Sequence, residues 1–330
     1  MEINRLNYKC TAQENWQGRT DGIDFSQQRW HQRIRCIDLQ QEEIPISSSG
    51  ETAFALIGFS SDEGVRRNGG RPGAVNGPAA FRKACANLPV HFNEETNVYD
   101  LGDIYCADGD LEKAQQELAK LVTSALQSGL IPLLIGGGHE IAYGHYCGIN
   151  AAVNSKKSIG IINFDAHFDL REKGSTGFSS GTGFLQIAND CLQSGKTFNY
   201  LPVGIQRNGN TRALFLTAEK LGVAHIPAAL FAAKSQDEVL EKIKAFIDSV
   251  DHVYLTICMD VFSAAFAPGV SAPAFTGIHP DHFFFSCLDF LIKSNKIISM
   301  DVAELNPVYD EADRTAKLTA AIAFQLLSAN

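Results

Sequence analysis

Residues 158–169 of this 330-residue chain read SIGIINFDAHFD, an apolar run followed at once by Asp165, His167 and Asp169. A continuous apolar run of this length predicts a strand that is buried on both faces. The three polar side chains at positions i, i+2 and i+4 follow the end of that strand and can converge on one centre. Carboxylate oxygens and imidazole nitrogens bind divalent ions such as Mn²⁺, Fe²⁺ or Zn²⁺, so the stretch predicts a metal site.

Similar apolar runs recur along the chain and alternate with segments of helical period. We predict strands over residues 53–59, 130–135, 158–164, 199–203, 252–259 and 296–302. We predict helices over residues 77–87, 110–128, 209–221, 236–250 and 311–327. Apolar strands separated by helices favour an α/β fold with a parallel sheet that is covered on both faces. Ligands of such sheets bind beyond the carboxyl ends of the strands, where the remaining candidate residues should lie.

Three other predicted strands end in polar residues that can join the same centre. His139 follows the strand that ends in GGG, and three glycines let the backbone turn sharply next to a crowded site. Cys258 and Asp260 end a second strand, and Glu304 follows a third. An unpaired buried carboxylate is costly, so a metal or another cation is expected beside them.

The glycine-rich loop at 136–140 does not have the pattern of a phosphate-binding loop. It lacks the Lys-Ser/Thr pair of a P-loop and the glycine spacing of a dinucleotide fingerprint. His145, His225 and His252 lack ligand spacing and are predicted to be structural. The segment HPDHFFF (279–285) is predicted to be a loop that enters an apolar segment.

Composition limits the partners and the location. The chain carries 28 Lys+Arg and 37 Asp+Glu, a net charge of −9, which argues against nucleic-acid binding. The sequence contains no run of about 18 uncharged apolar residues, so we expect no membrane span. The N-terminus lacks the apolar region of a secretory signal. Eight cysteines without a C-x-x-C pair indicate reduced thiols. We therefore expect a cytoplasmic protein with a small-molecule partner.

The domain organisation is read from the same patterning. The first 50 residues are polar and poorly patterned, and we predict that residues 1–50 form an N-terminal extension on the surface. The regular pattern begins at residue 51, and no linker interrupts it. Residues 51–330 are therefore predicted to form one domain.

The three candidate metal motifs resemble the ureohydrolase (arginase/agmatinase) superfamily of binuclear manganese enzymes, in the family's order and spacing. These motifs are GGGHE (136–140), NFDAHFD (163–169) and, less perfectly, TICMDVFSAAFAPG (256–269). Four further stretches are similar to the formimidoylglutamase branch: 64–84, SSGTGF (179–184), GIQRNGNTRALF (204–215) and APGVSAPA (267–274). The resemblance implies an arginase-like three-layer α/β/α sandwich with a central parallel sheet, a single ureohydrolase-like domain, and the ability to assemble as a homo-oligomer.

The resemblance also implies a ligand set for two Mn²⁺ ions. By motif position, His139, Asp165 and Asp169 bind one ion. Asp165, His167 and Asp260 bind the other, with Asp165 bridging the two. Two close cations lower the pKa of a bridging water and hold hydroxide as a nucleophile at neutral pH.

The implied catalytic residues are His139 and Glu304. The hydroxide attacks the amidine-type carbon of the substrate, and the Glu304 carboxylate pairs with its cationic nitrogen end. The implied reaction converts N-formimidoyl-L-glutamate to L-glutamate and formamide, a step of histidine degradation.

Four residues are candidates for recognising the two carboxylates of that substrate. Arg171 lies two residues after Asp169, and Arg207 lies in the motif GIQR; the fork of an arginine binds a carboxylate through two hydrogen bonds. Ser180 and Thr182 can add hydroxyl contacts from the loop SSGTGF.

Cys258 departs from the family pattern, which has Asp-x-Asp in the third motif. The first Asp of that pair bridges both metals, whereas a thiolate is softer and offers one donor atom. We therefore expect Cys258, as a sixth ligand position, to weaken Mn²⁺ binding or to leave one site poorly occupied. Two alternatives stay open: a guanidino-compound hydrolase of the arginase/agmatinase type, which has the same fold but another substrate, or a metal-deficient, non-catalytic paralogue, for which Cys258 is the support.

Overall fold

A computed structural model describes residues 3–48 and 50–328 of the chain. Within these residues one sheet contains ten strands. They are β1 (Tyr8–Lys9), β2 (Ile34–Cys36), β3 (Ala53–Ser60), β4 (Asn97–Tyr105), β5 (Ile131–Gly136), β6 (Ile159–Phe164), β7 (Asn199–Ile205), β8 (Ile226–Pro227), β9 (His252–Cys258) and β10 (Ile297–Ala303).

Helices connect most of these strands. The α-helices are α1 (Trp30–Arg33), α2 (Glu63–Arg67), α3 (Gly77–Cys85), α4 (Leu111–Gln127), α5 (Ile141–Ala152), α6 (Gly183–Gln193), α7 (Arg212–Lys220), α8 (Gln236–Asp248), α9 (His282–Lys293) and α10 (Arg314–Ser328). Short 3-10 helices span Gln13–Asn15, Phe25–Gln27, Ala74–Asn76, Ala107–Gly109, Ala228–Phe231, Ala233–Ser235 and Met259–Val261. Across the described residues, we find no helix with the length and apolar content that crossing a membrane requires.

The sheet is parallel apart from one edge. Its strand order is β1-β4-β3-β5-β10-β9-β6-β7-β8, with β2 also paired to β4. Among the described pairs only β1 runs antiparallel to its neighbour, β4. The carboxyl ends of β5, β10, β9 and β6 therefore meet side by side at one edge, as the predicted parallel sheet requires.

Two apolar clusters cover the two faces of the sheet. Alternate residues of a strand point to opposite faces, and in β3 Phe54 and Leu56 belong to one cluster while Ala55 and Ile57 belong to the other. Helices α3, α8, α9 and α10 pack on the first cluster, and α4 to α7 pack on the second. The predicted three-layer α/β/α sandwich is confirmed, and the six predicted strands and five predicted helices are all present within a few residues of their predicted bounds.

Strand β4 is not predicted by the sequence because charged residues interrupt its apolar pattern. Its Asp100 is fully buried, and Asp103 is 8% exposed. Both carboxylates contact the buried guanidinium of Arg82 on α3, at 2.7 Å in each case. A paired charge can occupy a buried strand that an unpaired charge could not, and the hydrophobic pattern alone does not reveal the pairing.

The segment 279–285 is a loop up to Asp281 that leads into the apolar helix α9. Helix α9 begins at His282, because the carboxylate of Asp281 accepts hydrogen bonds from the backbone amides of Phe283 and Phe284. This side-chain cap satisfies two amides of the first turn and fixes the residue at which the loop ends and the helix begins.

The described part of the first 50 residues packs more deeply than its polar composition predicts. Strands β1 and β2 join the sheet through β4. Trp30 is fully buried, and the Trp16 indole nitrogen donates a hydrogen bond to Asp100 at 2.8 Å. These residues are therefore part of the same core and not only a surface layer, while the division at residue 50 stays a prediction.

We expect Arg82→Met to lower the free energy of unfolding by about 3–5 kcal/mol, because it leaves the Asp100 and Asp103 carboxylates buried without their partner. Urea unfolding followed by circular dichroism measures the change. Arg35→Met is the matched control, since the Arg35–Glu42 pair is exposed and should contribute less than about 1 kcal/mol. Equal losses in the two variants would contradict this account of β4.

Candidate metal centre

Five predicted site residues come from the carboxyl ends of four adjacent strands. His139 follows β5 and Asp165 follows β6. Cys258 ends β9, with Asp260 in the short helix after it, and Glu304 follows β10. Because these strands are neighbours and run parallel, their ends bring the five side chains to one buried edge of the sheet.

Asp165 lies at the centre of the cluster. Its Oδ2 is 2.8 Å from Nδ1 of His139, and its Oδ1 is 3.5 Å from Nδ1 of His167. The same nitrogen of His139 is 3.1 Å from Oδ2 of Asp169. The same nitrogen of His167 is 3.2 Å from Oδ2 of Asp260. Both imidazoles thus point one nitrogen at a pair of carboxylates, with Asp165 common to the two pairs.

Two groups of these side chains have the geometry to hold an ion. Ligand atoms of His139, Asp165 and Cys258 lie within 4.8 Å of one another, and so do those of Asp165, His167 and Asp260. Asp165 belongs to both groups, whereas the first group contains Cys258 and does not contain Asp169. The Cys258 side chain therefore lies at the centre itself and not behind it.

The electrostatics of the cluster call for positive charge. Burial and the charge of Asp165 raise the pKa values of Asp169 and Asp260. Against the effect of burial, the surrounding carboxylates raise the pKa values of His139 and His167 well above their usual range. Without a metal ion, protons on the imidazoles therefore balance the carboxylates; a divalent cation can take over that role.

Several buried atoms of the cluster have no hydrogen-bond partner among the described residues. They include Nδ1 of His139, Oδ1 of Asp260 and Oε2 of Glu304. Nδ1 of His139 is close to two carboxylates, but it is not aligned for a hydrogen bond to either. Buried polar atoms are almost always paired, so these atoms indicate a missing partner. The nitrogen and oxygen donors fit a divalent cation of the Mn²⁺ type.

Glu304 reaches the centre through an unusual backbone conformation. Its φ of 69° lies in the left-handed region, and its Oε1 accepts a hydrogen bond from the His139 amide at 3.0 Å. Asp169 also has a positive φ, 47°. Non-glycine residues in this region carry strain that tertiary contacts must hold, and such residues concentrate at functional sites. Burial and the charge of Asp260 raise the pKa of Glu304 to about 8.

The glycine loop before His139 is required by close packing. A Cβ on Gly137 would lie 1.6 Å from the carbonyl oxygen of Ser61, so only glycine fits there. The amide of Gly138 donates a hydrogen bond to the same carbonyl at 2.9 Å. This contact lets the chain turn into α5 with His139 facing the cluster.

Asn210 supports the DAHFD loop and is not among the predicted site residues. Its side-chain amide donates to the carbonyls of Ala166 and Gln206, both at 2.8 Å, and its oxygen accepts from the Phe168 amide at 3.0 Å. The sequence offers one indication of this residue, the motif GIQRNGN (204–210), in which two asparagines follow a strand. The hydrogen-bond partners of Asn210 cannot be predicted from that motif. Asn210 thereby fixes the loop that carries Asp165, His167 and Asp169.

Three of the four candidate carboxylate-binding residues lie within residues 171–182, and the structure gives them different surroundings. Arg171 is exposed, and its amide donates to the Gly181 carbonyl at 2.9 Å. The Ser180 hydroxyl accepts a hydrogen bond from the side chain of Asn68 at 3.3 Å. The Thr182 hydroxyl is already bonded to Ser179 and Gln186, so it organises the start of α6.

Arg207 lies in the loop that follows β7, and this loop is hydrogen-bonded to the loop of the metal ligands through Gln206 and Ala166. It is exposed and lines a cavity of about 690 Å³ together with Asn208, Phe215, His225 and other residues near β8. None of the predicted metal ligands is among the residues that line this cavity.

Comparison with known proteins decides the family. The model of the arginase family matches residues 52–328. The chain belongs to the arginase family. Membership agrees with the resemblance of the three metal motifs and with the order in which the strands carry them.

Curated relatives of this arginase-family chain cover almost its whole length. A protein of Clostridium tetani named formimidoylglutamase is 41% identical over 326 residues, which cover 98% of this chain and 96% of the relative. A protein of Geobacillus thermodenitrificans with the same name is 47% identical over 313 residues, covering 94% of each.

Solved structures share the fold. Formiminoglutamase of Trypanosoma cruzi, in a crystal structure with Mn²⁺, superposes with a TM-score of 0.75 at 27% identity and covers 86% of this chain and 96% of its own. Formimidoylglutamase of Bacillus subtilis superposes with a TM-score of 0.77 at 21% identity, covering 94% and 93% of the two chains. The predicted arginase-like architecture is thereby confirmed.

We expect Cys258→Asp to raise the number of Mn²⁺ ions that bind per chain at limiting free Mn²⁺. Burial and the charges of Asp165 and Asp260 raise the pKa of the Cys258 thiol well above its usual range, so the thiol is neutral without metal and must lose a proton to bind. Elemental analysis after dialysis measures the metal content. Cys258→Ser, which removes the thiol without adding a carboxylate, is the control; unchanged stoichiometry in Cys258→Asp would contradict the idea.

Proposed function

We propose that this chain hydrolyses N-formimidoyl-L-glutamate to L-glutamate and formamide at a binuclear Mn²⁺ centre. The observation that carries the proposal is the convergence of His139, Asp165, His167, Asp169 and Asp260 at one buried edge. The substrate is supported by the relatives named formimidoylglutamase, which are 41% and 47% identical over at least 94% of this chain.

The proposed ligands divide between two ions. His139, Asp165 and Asp169 would hold one ion, and Asp165, His167 and Asp260 would hold the other. Asp165 suits the shared position because its two oxygens face the two imidazoles separately, at 2.8 and 3.5 Å. The chemistry that two bound Mn²⁺ ions supply is a lower pKa for a bound water, which provides a nucleophile at neutral pH.

The side chains of this chain account for the rest of the reaction. Water oxygen adds to the formimidoyl carbon, the bond from that carbon to the glutamate nitrogen breaks, and the nitrogen leaves as the amine of L-glutamate. Glu304 holds one oxygen on the His139 amide, while its Oε2 has no hydrogen-bond partner among the described residues. We assign that free oxygen to the cationic nitrogen of the substrate. We assign His139 a role in catalysis as a ligand of one of the two ions.

The two carboxylates of the substrate need positively charged or hydroxyl partners. We assign Arg171 to one of them, because its guanidinium is exposed in the loop that directly follows Asp169 and lies beside Gly181. Ser180 is the hydroxyl candidate from the neighbouring turn. Thr182 would act through the shape of that turn, and Arg207 stays a candidate for the second carboxylate.

The cysteines bear on the location of the protein. All eight cysteines are free thiols, which suits a reducing compartment, so we propose a cytoplasmic enzyme with a small-molecule partner. A homo-oligomer stays a prediction of the family resemblance.

The proposed function is tested by product analysis with the purified chain, with and without added Mn²⁺. We expect equimolar L-glutamate and formamide from N-formimidoyl-L-glutamate, with no urea from arginine, agmatine or guanidinobutyrate. Urea release from any of these three would favour the guanidino-compound hydrolase. An inactive chain after Mn²⁺ reconstitution would favour the non-catalytic paralogue.

We expect Arg171→Ala to raise KM for N-formimidoyl-L-glutamate by about 10- to 100-fold with a much smaller change in kcat. A hydrogen bond between charged groups contributes about 1.5–3 kcal/mol, and this contact forms equally in the bound substrate and in the transition state. Steady-state kinetics measure both constants. Lys173→Ala removes a cation from the same loop and should leave KM unchanged; an unaltered KM in Arg171→Ala would exclude that residue from the site.

A further inference from the structure

Two buried polar side chains lie behind the metal centre in the two central strands. Thr256 of β9 and Asp301 of β10 are neighbours in the strand register, and both are fully buried. The Thr256 hydroxyl donates a hydrogen bond to Oδ1 of Asp301 at 2.7 Å. The same hydroxyl oxygen lies 3.0 Å from Nε2 of His139, on the side of the ring away from the carboxylate cluster.

Asp301 is the acceptor in its hydrogen bond with Thr256, whose hydroxyl is the donor. Its second oxygen accepts from Nδ1 of His145 at 2.6 Å and from the Tyr254 hydroxyl. The carboxylate is therefore bonded on both oxygens, and one of those bonds takes the single proton of the Thr256 hydroxyl.

The direction of that bond determines what Thr256 offers to His139. A hydroxyl has one proton and two lone pairs, so Thr256 presents a lone pair to Nε2, which must then carry hydrogen. The neutral imidazole has its lone pair on the other nitrogen, Nδ1. That is the nitrogen that faces Asp165 and Asp169 and has no hydrogen-bond partner among the described residues.

We propose that Thr256 and Asp301 are positioning residues that fix His139 as the tautomer with hydrogen on Nε2, and thereby keep Nδ1 free to bind a divalent cation. The inference rests on the proposed metal centre and does not depend on the identity of the substrate. His145, which the sequence predicts to be structural, takes part by holding Asp301 from the opposite side.

The expected change in metal affinity is estimated from groups that orient metal-binding histidines in other proteins. Groups that orient a metal-binding histidine are typically worth 10- to 100-fold in metal affinity or activity. A purely structural role for Thr256 and Asp301 would instead lower the stability of the fold and leave the affinity for metal in the folded fraction unchanged. Metal affinity and stability therefore separate the two roles.

The test measures the dissociation constant for Mn²⁺ by isothermal titration calorimetry, and the midpoint of thermal unfolding, for the full chain and four variants. Thr256→Val keeps the shape and removes the hydroxyl, while Thr256→Ser keeps the hydroxyl. Asp301→Asn offers an amide donor to Thr256, so that its hydroxyl can turn toward His139. Thr319→Val removes an equally buried hydroxyl whose one hydrogen bond among the described residues is to Thr315 within α10, and it controls for packing.

We expect Thr256→Val and Asp301→Asn to raise the Mn²⁺ dissociation constant by about 10- to 100-fold. We expect the Mn²⁺ dissociation constants of Thr256→Ser and Thr319→Val to stay within about 3-fold of that of the unsubstituted chain. Titration calorimetry distinguishes such a change from a loss of about 10-fold or more. If Thr256→Val does not fold, Asp301→Asn decides the question alone.

The proposal is overturned if the folded Asp301→Asn and Thr256→Val variants bind Mn²⁺ as the unsubstituted chain does, or if Thr256→Ser loses as much affinity as Thr256→Val. A chain that binds no Mn²⁺ before any substitution would instead contradict the proposed function. The two failures are therefore distinguishable.

Discussion

The Asp165 carboxylate is buried between the imidazoles of His139 and His167, and Asp169 and Asp260 lie against the same two rings. These three carboxylates lie close together and have lost most of their hydration, so this edge of the sheet requires positive charge. Protonated imidazoles can supply some of it, but divalent cations supply more and use the lone pairs of the same nitrogens. The arrangement of the other side chains at this edge is therefore best understood as a cation-binding site.

The parallel sheet makes that concentration of charge geometrically possible. Strands β5, β10, β9 and β6 are adjacent, so residues that are far apart in the chain end at one edge. The same arrangement puts Thr256 and Asp301 side by side beneath His139. The strand order therefore places both the candidate ligands at the edge and the residues that hydrogen-bond behind them. Asn210 holds the loop after β6 in a comparable way.

Much of the fold could be predicted from the sequence because its central strands are continuous apolar runs and its ligands follow them directly. Strand β4 could not, since Asp100 and Asp103 break the pattern and their partner, Arg82, belongs to another element. The supports of the metal centre were missed for a similar reason. Thr256 and Asp301 are isolated polar residues in largely apolar strands, and only the register between those strands reveals that they bond to each other.

Anomalous diffraction above the manganese absorption edge, from crystals of the chain grown in saturating Mn²⁺, tests the central claim most directly. The account predicts two anomalous peaks that share Asp165 as a ligand, one also contacting His139 and Asp169 and the other contacting His167 and Asp260. Crystals that contain Mn²⁺ but have no peak at Asp165 would contradict it, because the buried carboxylates would then be balanced without metal.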